Sequence, residues 1–348
     1  VTSTGDWRLG HRPALDGVRG IAVALVVLGH AGVPLLVNAG AVGVDTFFTL
    51  SGFLITSLLL EERSTHGSVR FGAFYRRRAL RLLPALVALV AGVWVIRVAL
   101  GLGSNFVSVP GTAAALLYYT NLWIFHGSSG VLSHTWSLSL EEQFYLTWPL
   151  LLVVLYRWGR HRAVLWGALV LGSASVASFY LSTGDLRSFA PDTRSFHLLF
   201  GCALAAALTG AARMPVPSRL LAVPAALLLL LASLANGGVA AEVAPVAIVG
   251  GGVVLIWVAG TRDLPALEGR ALTWLGRRSY AIYLWHFPAI GAALRVGGGW
   301  PVHLVVIGGF GVTMAVLSWR FIERPFLNMK QTPQNRAVPQ AITPRASV

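Results

Sequence analysis

The sequence predicts an all-α fold, a polytopic membrane helix bundle of about ten transmembrane helices, and three observations predict it. Hydrophobic residues make up 55% of the chain and charged residues only 11%, at a mean hydropathy of +0.69. An ordinary soluble domain carries about a quarter charged residues. Apolar runs recur along most of the 348 residues, each close to the ~20 that one crossing needs. The 27 basic residues sit in short clusters between those runs. That is the positive-inside pattern of cytoplasmic loops, so the formal charge of +14 points to a lipid bilayer and not to nucleic acid. Cys202 is the single cysteine and lies in an apolar run, which excludes an intrachain disulfide. Nothing at the start of the chain resembles a cleavable signal peptide.

Apolar runs lie at 20–37, 42–60, 82–100, 111–125, 138–156, 163–181, 195–209, 219–235, 239–259, 280–294 and 302–319. Charge decides which of them cross. With the N-terminus cytoplasmic and the 111–125 run re-entrant or interfacial, every basic residue except Arg97, Arg187, Arg194 and Arg295 falls on the inside. Letting 111–125 cross would turn Arg157, Arg160, Arg162 and the Arg277–Arg278 pair outward. A re-entrant backbone is allowed where protein or a cavity covers it. The expectation is ten spans with both termini cytoplasmic, in a cell membrane, the bacterial plasma membrane. Residues 1–327 form the integral membrane domain, and 328–348 read as a disordered cytoplasmic tail.

The first run carries Arg19 and His30 at either end of ten uncharged residues. On a helix their eleven-residue separation is about 20° past three full turns, so both side chains share one face about 16 Å apart. One end can hold an anion while the other does chemistry. The plain alternative is a boundary arginine and a histidine hydrogen-bonded inside the bundle. In the second run Asp45 lies near the outer edge, where a carboxylate needs a partner or a water-filled cavity. Ser51-Gly52 lies near mid-membrane, where small residues usually mean close helix packing.

Arg76, Arg77, Arg78 and Arg81 cluster at the cytoplasmic mouth of the third span. They suit either anionic lipid headgroups or a ligand bearing several phosphates, which arginine forks bind bidentately. No glycine-rich phosphate loop of the nucleotide-hydrolase type is present. The densest polar stretch in an apolar setting is His134-Thr135-Trp136-Ser137-Leu138-Ser139-Leu140-Glu141-Glu142-Gln143-Phe144-Tyr145. Glu141 and Glu142 point about 100° apart on a helix, so one of them at most faces a given partner. A buried carboxyl can carry a proton or orient an imidazole, and a salt bridge to a buried arginine is the structural alternative. Asp192 and Arg194 share an outer loop, where they pair with each other or meet a substrate. His286 falls in the inner half of a late span, available for packing or for donor contact.

Taken together, these motifs resemble the membrane-bound acyltransferase family 3. The residues that carry the resemblance are Arg19 with His30, Phe47-Phe48 before Ser51-Gly52-Phe53-Leu54-Ile55, Arg77-Arg78 with Arg81 before Pro84, and Trp136-Ser137-Leu138 before Glu141-Glu142-Gln143-Phe144-Tyr145. Asp192-Thr193-Arg194, Ser279-Tyr280-Ala281-Ile282-Tyr283-Leu284-Trp285-His286 and Glu323-Arg324-Pro325 follow in order. The resemblance covers roughly residues 11–327; each motif is weak alone and their order is strong. It implies transfer of an acyl group, commonly acetyl, from cytoplasmic acyl-CoA to a hydroxyl of a glycan, a lipid-linked sugar or a small natural product. The stand-alone form, without a fused extracytoplasmic domain, is expected.

With the donor so implied, Arg19, Arg76, Arg77, Arg78, Arg81 and Ser51 are the expected donor-binding residues. His30 is the expected catalytic imidazole, with Glu141, Glu142 and Asp45 as catalytic carboxylates. Glu141 is expected to orient His30 as the third member of a triad does. A neutral His30 either takes the proton of the attacking hydroxyl or forms an acyl-imidazole intermediate, and both routes remain open. Trp136, Tyr145, Asp192 and Arg194 are the expected acceptor contacts. Neither a metal nor a permanently bound cofactor is called for, since acetyl-CoA enters as a substrate. The rival class is a transporter or flippase that uses the same buried charges to move an anionic solute. A transporter often repeats its pattern in two halves, and no second copy of the Arg19–His30 pattern is present.

Overall fold

Helix α1, Pro13–His30, starts at a proline, whose fixed φ suits the first helical turn. In the computed structural model, which describes residues 7–127, 130–211 and 214–328, every regular element is helical and no strand occurs among the described residues. The apolar run at 20–37 outlasts α1, because Gly32 turns the chain at φ 73° and Pro34 follows. His30 therefore closes the helix, where the sequence reading placed it inside a span, and Arg19 lies two turns inside.

α2, Ala39–His66, and α3, Phe71–Ala99, form the next two long helices. The 111–125 run breaks into α4, Val109–Leu116, and α5, Thr120–Trp123, with Tyr118 between them in the left-handed region at φ 54°. At 1.5 Å per residue neither reaches across a ~30 Å hydrocarbon core. A 3-10 turn, Gly130–Thr135, leads into α6, Trp136–Leu181. This 46-residue helix joins two of the apolar runs, and its backbone breaks at Gly159 and Arg160, within the basic group Arg157, Arg160 and Arg162. Its two arms then pack on each other, Gly167 against Leu155.

The chain continues through α7, Gly184–Phe189, α8, Pro191–Arg194, and α9, Phe196–Ala206. α10, Ala222–Leu234, α11, Gly238–Thr261, and the short α12, Pro265–Glu268, follow. α13, Arg270–Arg277, α14, Ser279–His286, α15, Ile290–Val296, α16, Gly299–Ser318, and α17, Arg324–Asn328, complete the described chain. Among the described residues six stretches are long and apolar enough to cross a membrane: α1, α2, α3, Gly130–Leu181, α11 and Gly299–Asn328. Shorter apolar helices cover Phe196–Gly210 and Arg219–Leu234. The protein is a multi-pass membrane protein. The tail read as disordered lies outside the described residues apart from Asn328.

α2 is the central helix, 78% buried over its most apolar window, whereas α16 is 22% buried and α3 28%. The exposed apolar side chains of α3 and α16, such as Val87, Val95 and Val305, suit contact with lipid. Glycine lets α2 approach its neighbours at backbone distance. A Cβ at Gly43 would overlap the Ala22 carbonyl oxygen of α1, and one at Gly52 that of Leu198 on α9. Gly201 of α9 meets α2 in the same way at Thr49, so Gly52 serves packing as the sequence implied.

The ends of the bundle sort the loops. At the end where α1 begins, Trp7 Nε1 donates to Gly260 O at 3.3 Å, Arg262 Nε donates to Pro217 O at 2.9 Å, and Arg63 stacks on Tyr156. At the other end the Asn38 amide meets Ser233 O at 3.2 Å and Arg187 pairs with Glu242. Segments given to the same side by the charge pattern thus meet at the same end.

Candidate active site

Two cavities are strung along α1. The inner one, about 300 Å³, lies toward the end where α1 begins and is lined by Arg19, Ser51, Arg78, Arg81, Glu141 and Tyr145. The outer one, about 710 Å³, lies where α1 ends and is lined by His30, Asn38, His134, Trp136, Arg187 and Arg194. Arg19 and His30 share a helix face as the spacing predicts, and that face serves both cavities. Val44 and Tyr283 line both.

The inner cavity is cationic by construction. Arg78 and Arg81 are three apart on α3 and so face the same way. Arg76 and Arg77, expected beside them, line neither cavity: both are exposed, and Arg77 turns to Glu62 at 3.6 Å. Arg78 stacks over the Tyr145 ring at 3.4 Å and lies 3.6 Å from Glu142. Arg19 has only a loose contact with Asp16, at 3.9 Å. Glu141 accepts hydrogen bonds from the hydroxyls of Ser51 and Tyr145. Ser51 therefore belongs to the cavity while its neighbour Gly52 packs.

This arrangement corrects the expected dyad, since Glu141 and His30 line different cavities. On α6 the Glu141 side chain points down the helix toward Tyr145, one turn on, and away from the end of α1. Among the described residues His30 meets no carboxylate. Its Nδ1–H donates to the Val26 carbonyl at 2.9 Å, which leaves Nε2 as the lone-pair nitrogen. The imidazole also stands in the last turn of α1, where the partial negative charge of the helix end favours a positive charge gained in a reaction.

Two further histidines, neither singled out from sequence as a site residue, surround it. The His286 ring is 5.0 Å from that of His30 and level with it, not in an inner half of its own span. The His134 ring is 5.7 Å from that of His286 and stacks on Phe287 at 4.7 Å. His286 Nδ1–H donates to Tyr283 O at 2.6 Å, and its buried Nε2 has no hydrogen-bond partner among the described residues. Both nitrogens of His134 face carbonyls, Val131 O and Leu284 O, each at 3.1 Å. The motifs containing His134, Tyr283 and His286 were visible in the sequence, but their convergence across three segments was not.

Asp45 is wholly buried and pairs with Arg194, with His197 Nε2 3.3 Å away. It is the partner of a guanidinium and lines neither cavity, which corrects its reading as a catalytic carboxylate. Arg194 was expected to pair with Asp192 or to meet the acceptor. Instead Asp192 is exposed, accepts from Ser178 at 2.5 Å, and lines neither cavity. Trp136 and Arg194 do reach the outer cavity, whereas Tyr145 belongs to the inner one. At the outer mouth Arg187 stacks on Phe179, and its hydrogen bonds with Glu242 hold the guanidinium pKa above its ordinary value. Among the described residues no group of three or more His, Cys, Asp or Glu side chains is arranged to hold a metal ion.

A family profile described as an acyltransferase domain matches residues 12–320. The chain belongs to the acyltransferase 3 family. Both cavities and all their lining residues fall within that match. The chain is similar to the peptidoglycan O-acetyltransferase OatA of Listeria monocytogenes, with 33% identity covering 90% of this chain and 55% of OatA. It is 35% identical to YrhL of Bacillus subtilis, provisionally named a peptidoglycan O-acetyltransferase, over 90% of this chain and 54% of that protein. A provisionally named O-acetyltransferase of Staphylococcus aureus is 31% identical over 92% of this chain and 58% of its own. The acyltransferase 3 chain described here thus spans just over half the length of the curated relatives it matches. No solved structure matches it.

Proposed function

We propose that this protein is a membrane O-acyltransferase that takes an acyl group, acetyl in the first instance, from cytoplasmic acyl-CoA and delivers it to a hydroxyl of a glycan. The observation that carries the reading is the pair of cavities along one face of α1 that share Val44 and Tyr283, one cationic and one holding an imidazole with a free lone pair. Arg19, Arg78 and Arg81 hold the donor's phosphates at the cytoplasmic end, with both chain termini on that side. The pantetheine arm passes the neck at Val44 and Tyr283 and brings the thioester to His30, about 16 Å along the helix from Arg19.

There His30 Nε2 takes the proton of the acceptor hydroxyl as its oxygen attacks the thioester carbonyl. The carbon–oxygen bond forms, the carbon–sulfur bond breaks, and the same proton passes to the departing sulfur, releasing free coenzyme A. The α1 C-terminus and its Val26 carbonyl support the imidazolium in between. Relatives named as peptidoglycan O-acetyltransferases support a glycan of the cell envelope as acceptor.

The test is purified protein in lipid nanodiscs with acetyl-CoA, following free thiol with and without glycan acceptors and identifying the acetyl ester on the product. Thiol release that requires the acceptor, together with the ester, is the expected result. No thiol release from acetyl-CoA with any glycan acceptor would overturn it, and uptake of an anionic solute by loaded vesicles would then select a transporter.

A further inference from the structure

The partition between the two cavities is built from three helices, and each holds its part rigidly. α2 contributes Val44 and, one turn on, Phe48. α6 contributes Trp136 and Ser137, and α14 contributes Tyr283. Phe48 stands edge-on to Trp136 with ring centroids 6.2 Å apart, so these two aromatic side chains, one in each cavity, seal the wall beside the neck. Val44 and Tyr283, exposed by only 8% and 7%, line both cavities and so bound the opening that the proposed reading requires between them.

Neither side of that opening can retreat. Next to Val44, Gly43 lies so close to α1 that a Cβ would overlap the Ala22 carbonyl oxygen, and further along Gly29 meets Gly40 in the same manner. α1 and α2 are thus in backbone contact at two points in the turn of α2 that leads to Val44, and close-packed backbones do not part to let a ligand through. Opposite, the Tyr283 hydroxyl donates to His134 O at 2.9 Å and lies 2.5 Å from Ser137 Oγ. The phenol is committed at both its donor and its acceptor sites, which fixes the ring plane. The width of the passage is therefore a matter of side-chain volume at two positions.

On the proposed reading, the acyl group leads the pantetheine arm through this passage, and the neck then measures it. We infer that Val44 and Tyr283 are the residues that set acyl-chain selectivity, admitting acetyl and excluding longer or branched chains before they reach His30. The inference rests on the assignment of the inner cavity to the donor and the outer one to the transfer step. It assigns no chemistry to either residue: Val44 and Tyr283 act by excluded volume, ahead of the bond-forming step.

The experiment compares acetyl-CoA, propionyl-CoA and butyryl-CoA on the same preparation of each variant, so that differences in folding yield cancel in the ratio. Wild-type protein should favour acetyl. Val44→Ala should raise the butyryl-to-acetyl ratio of kcat/KM about tenfold, the scale on which an apolar pocket discriminates a methylene or two. Val44→Phe should release no thiol from acetyl-CoA, because the added volume falls where the pantetheine arm must pass. An unchanged ratio in Val44→Ala, or a wild type that uses butyryl as fast as acetyl, overturns the inference while leaving the proposed function in place. A His30→Ala variant that turns over normally would sink the proposed function itself, and the neck with it. If Val44→Phe fails to fold, the Val44→Ala ratio decides alone.

Discussion

Glu141 accepts the hydroxyl hydrogen bond of Ser51, ninety residues earlier in the chain, and that of Tyr145, one turn further along its own helix. Both acceptor contacts use the same carboxylate oxygen, in the cavity that also holds Arg19, Arg78 and Arg81. The bond ties α2 to α6 at the level of the arginines, and it removes Glu141 from the imidazole that sequence spacing had offered as its partner.

The first prediction concerns that carboxylate. A hydrogen bond to a charged group contributes roughly 1.5–3 kcal/mol, so a double-mutant cycle of Ser51→Ala and Glu141→Gln should show a coupling of about 1–3 kcal/mol in unfolding measured in detergent. In kinetics Glu141→Gln should change KM for the acyl-CoA more than kcat. A fall in kcat with KM unchanged would restore the Glu141–His30 dyad.

His30 carries the second prediction. His30→Ala should lower acyl transfer by about 10²–10⁴-fold, the usual contribution of a positioned general base. The side chain closes α1 and opens onto the outer cavity, so the variant should reach the membrane at wild-type levels and keep its affinity for coenzyme A. Turnover near normal in a folded His30→Ala protein is the outcome that excludes both the base and the acyl-imidazole routes.

Asp45 and Arg194 give a stability prediction. Arg194→Met leaves a buried carboxylate without its counter-ion, and breaking a buried pair from one side costs about 3–5 kcal/mol. Adding Asp45→Asn to the same protein should recover much of that loss, because the uncompensated charge is gone. Thermal unfolding of the two single variants and the double checks it; losses that simply add would mean the ions act independently.

Sidedness can be read with two cysteines. Asp185→Cys, on the exposed α7, should react with an impermeant thiol reagent added outside intact cells. Gly269→Cys, between α12 and α13, should not, although a Cβ there meets nothing within 4 Å and is open to solvent on its own side. Cys202 is buried and stays silent. The reverse labelling pattern would invert the membrane orientation and move the donor site to the wrong face.

Several features were legible in the sequence because they are local. Helix phase put Arg19 and His30 on one face, and the clustering of basic residues sorted the loops between two ends and kept the 111–125 run from crossing. Composition alone was enough to exclude a soluble fold.

The tertiary structure decided which polar groups meet. Asp45 was expected as a catalytic carboxylate, and Arg194 as the partner of Asp192, two residues away, or of the acceptor; the fold pairs Asp45 with Arg194, 149 positions apart. His134 and His286 join His30 only because Gly311 seats α16 against the backbone of α14 at His286 and the 130–135 turn packs over it. Periodicity fixes the face on which a side chain stands, since that follows from 3.6 residues per turn. It does not fix which helix that face meets. Here that choice was made by glycines on α1, α2 and α9, where backbones approach too closely for any side chain and so set the register of helices far apart in the chain.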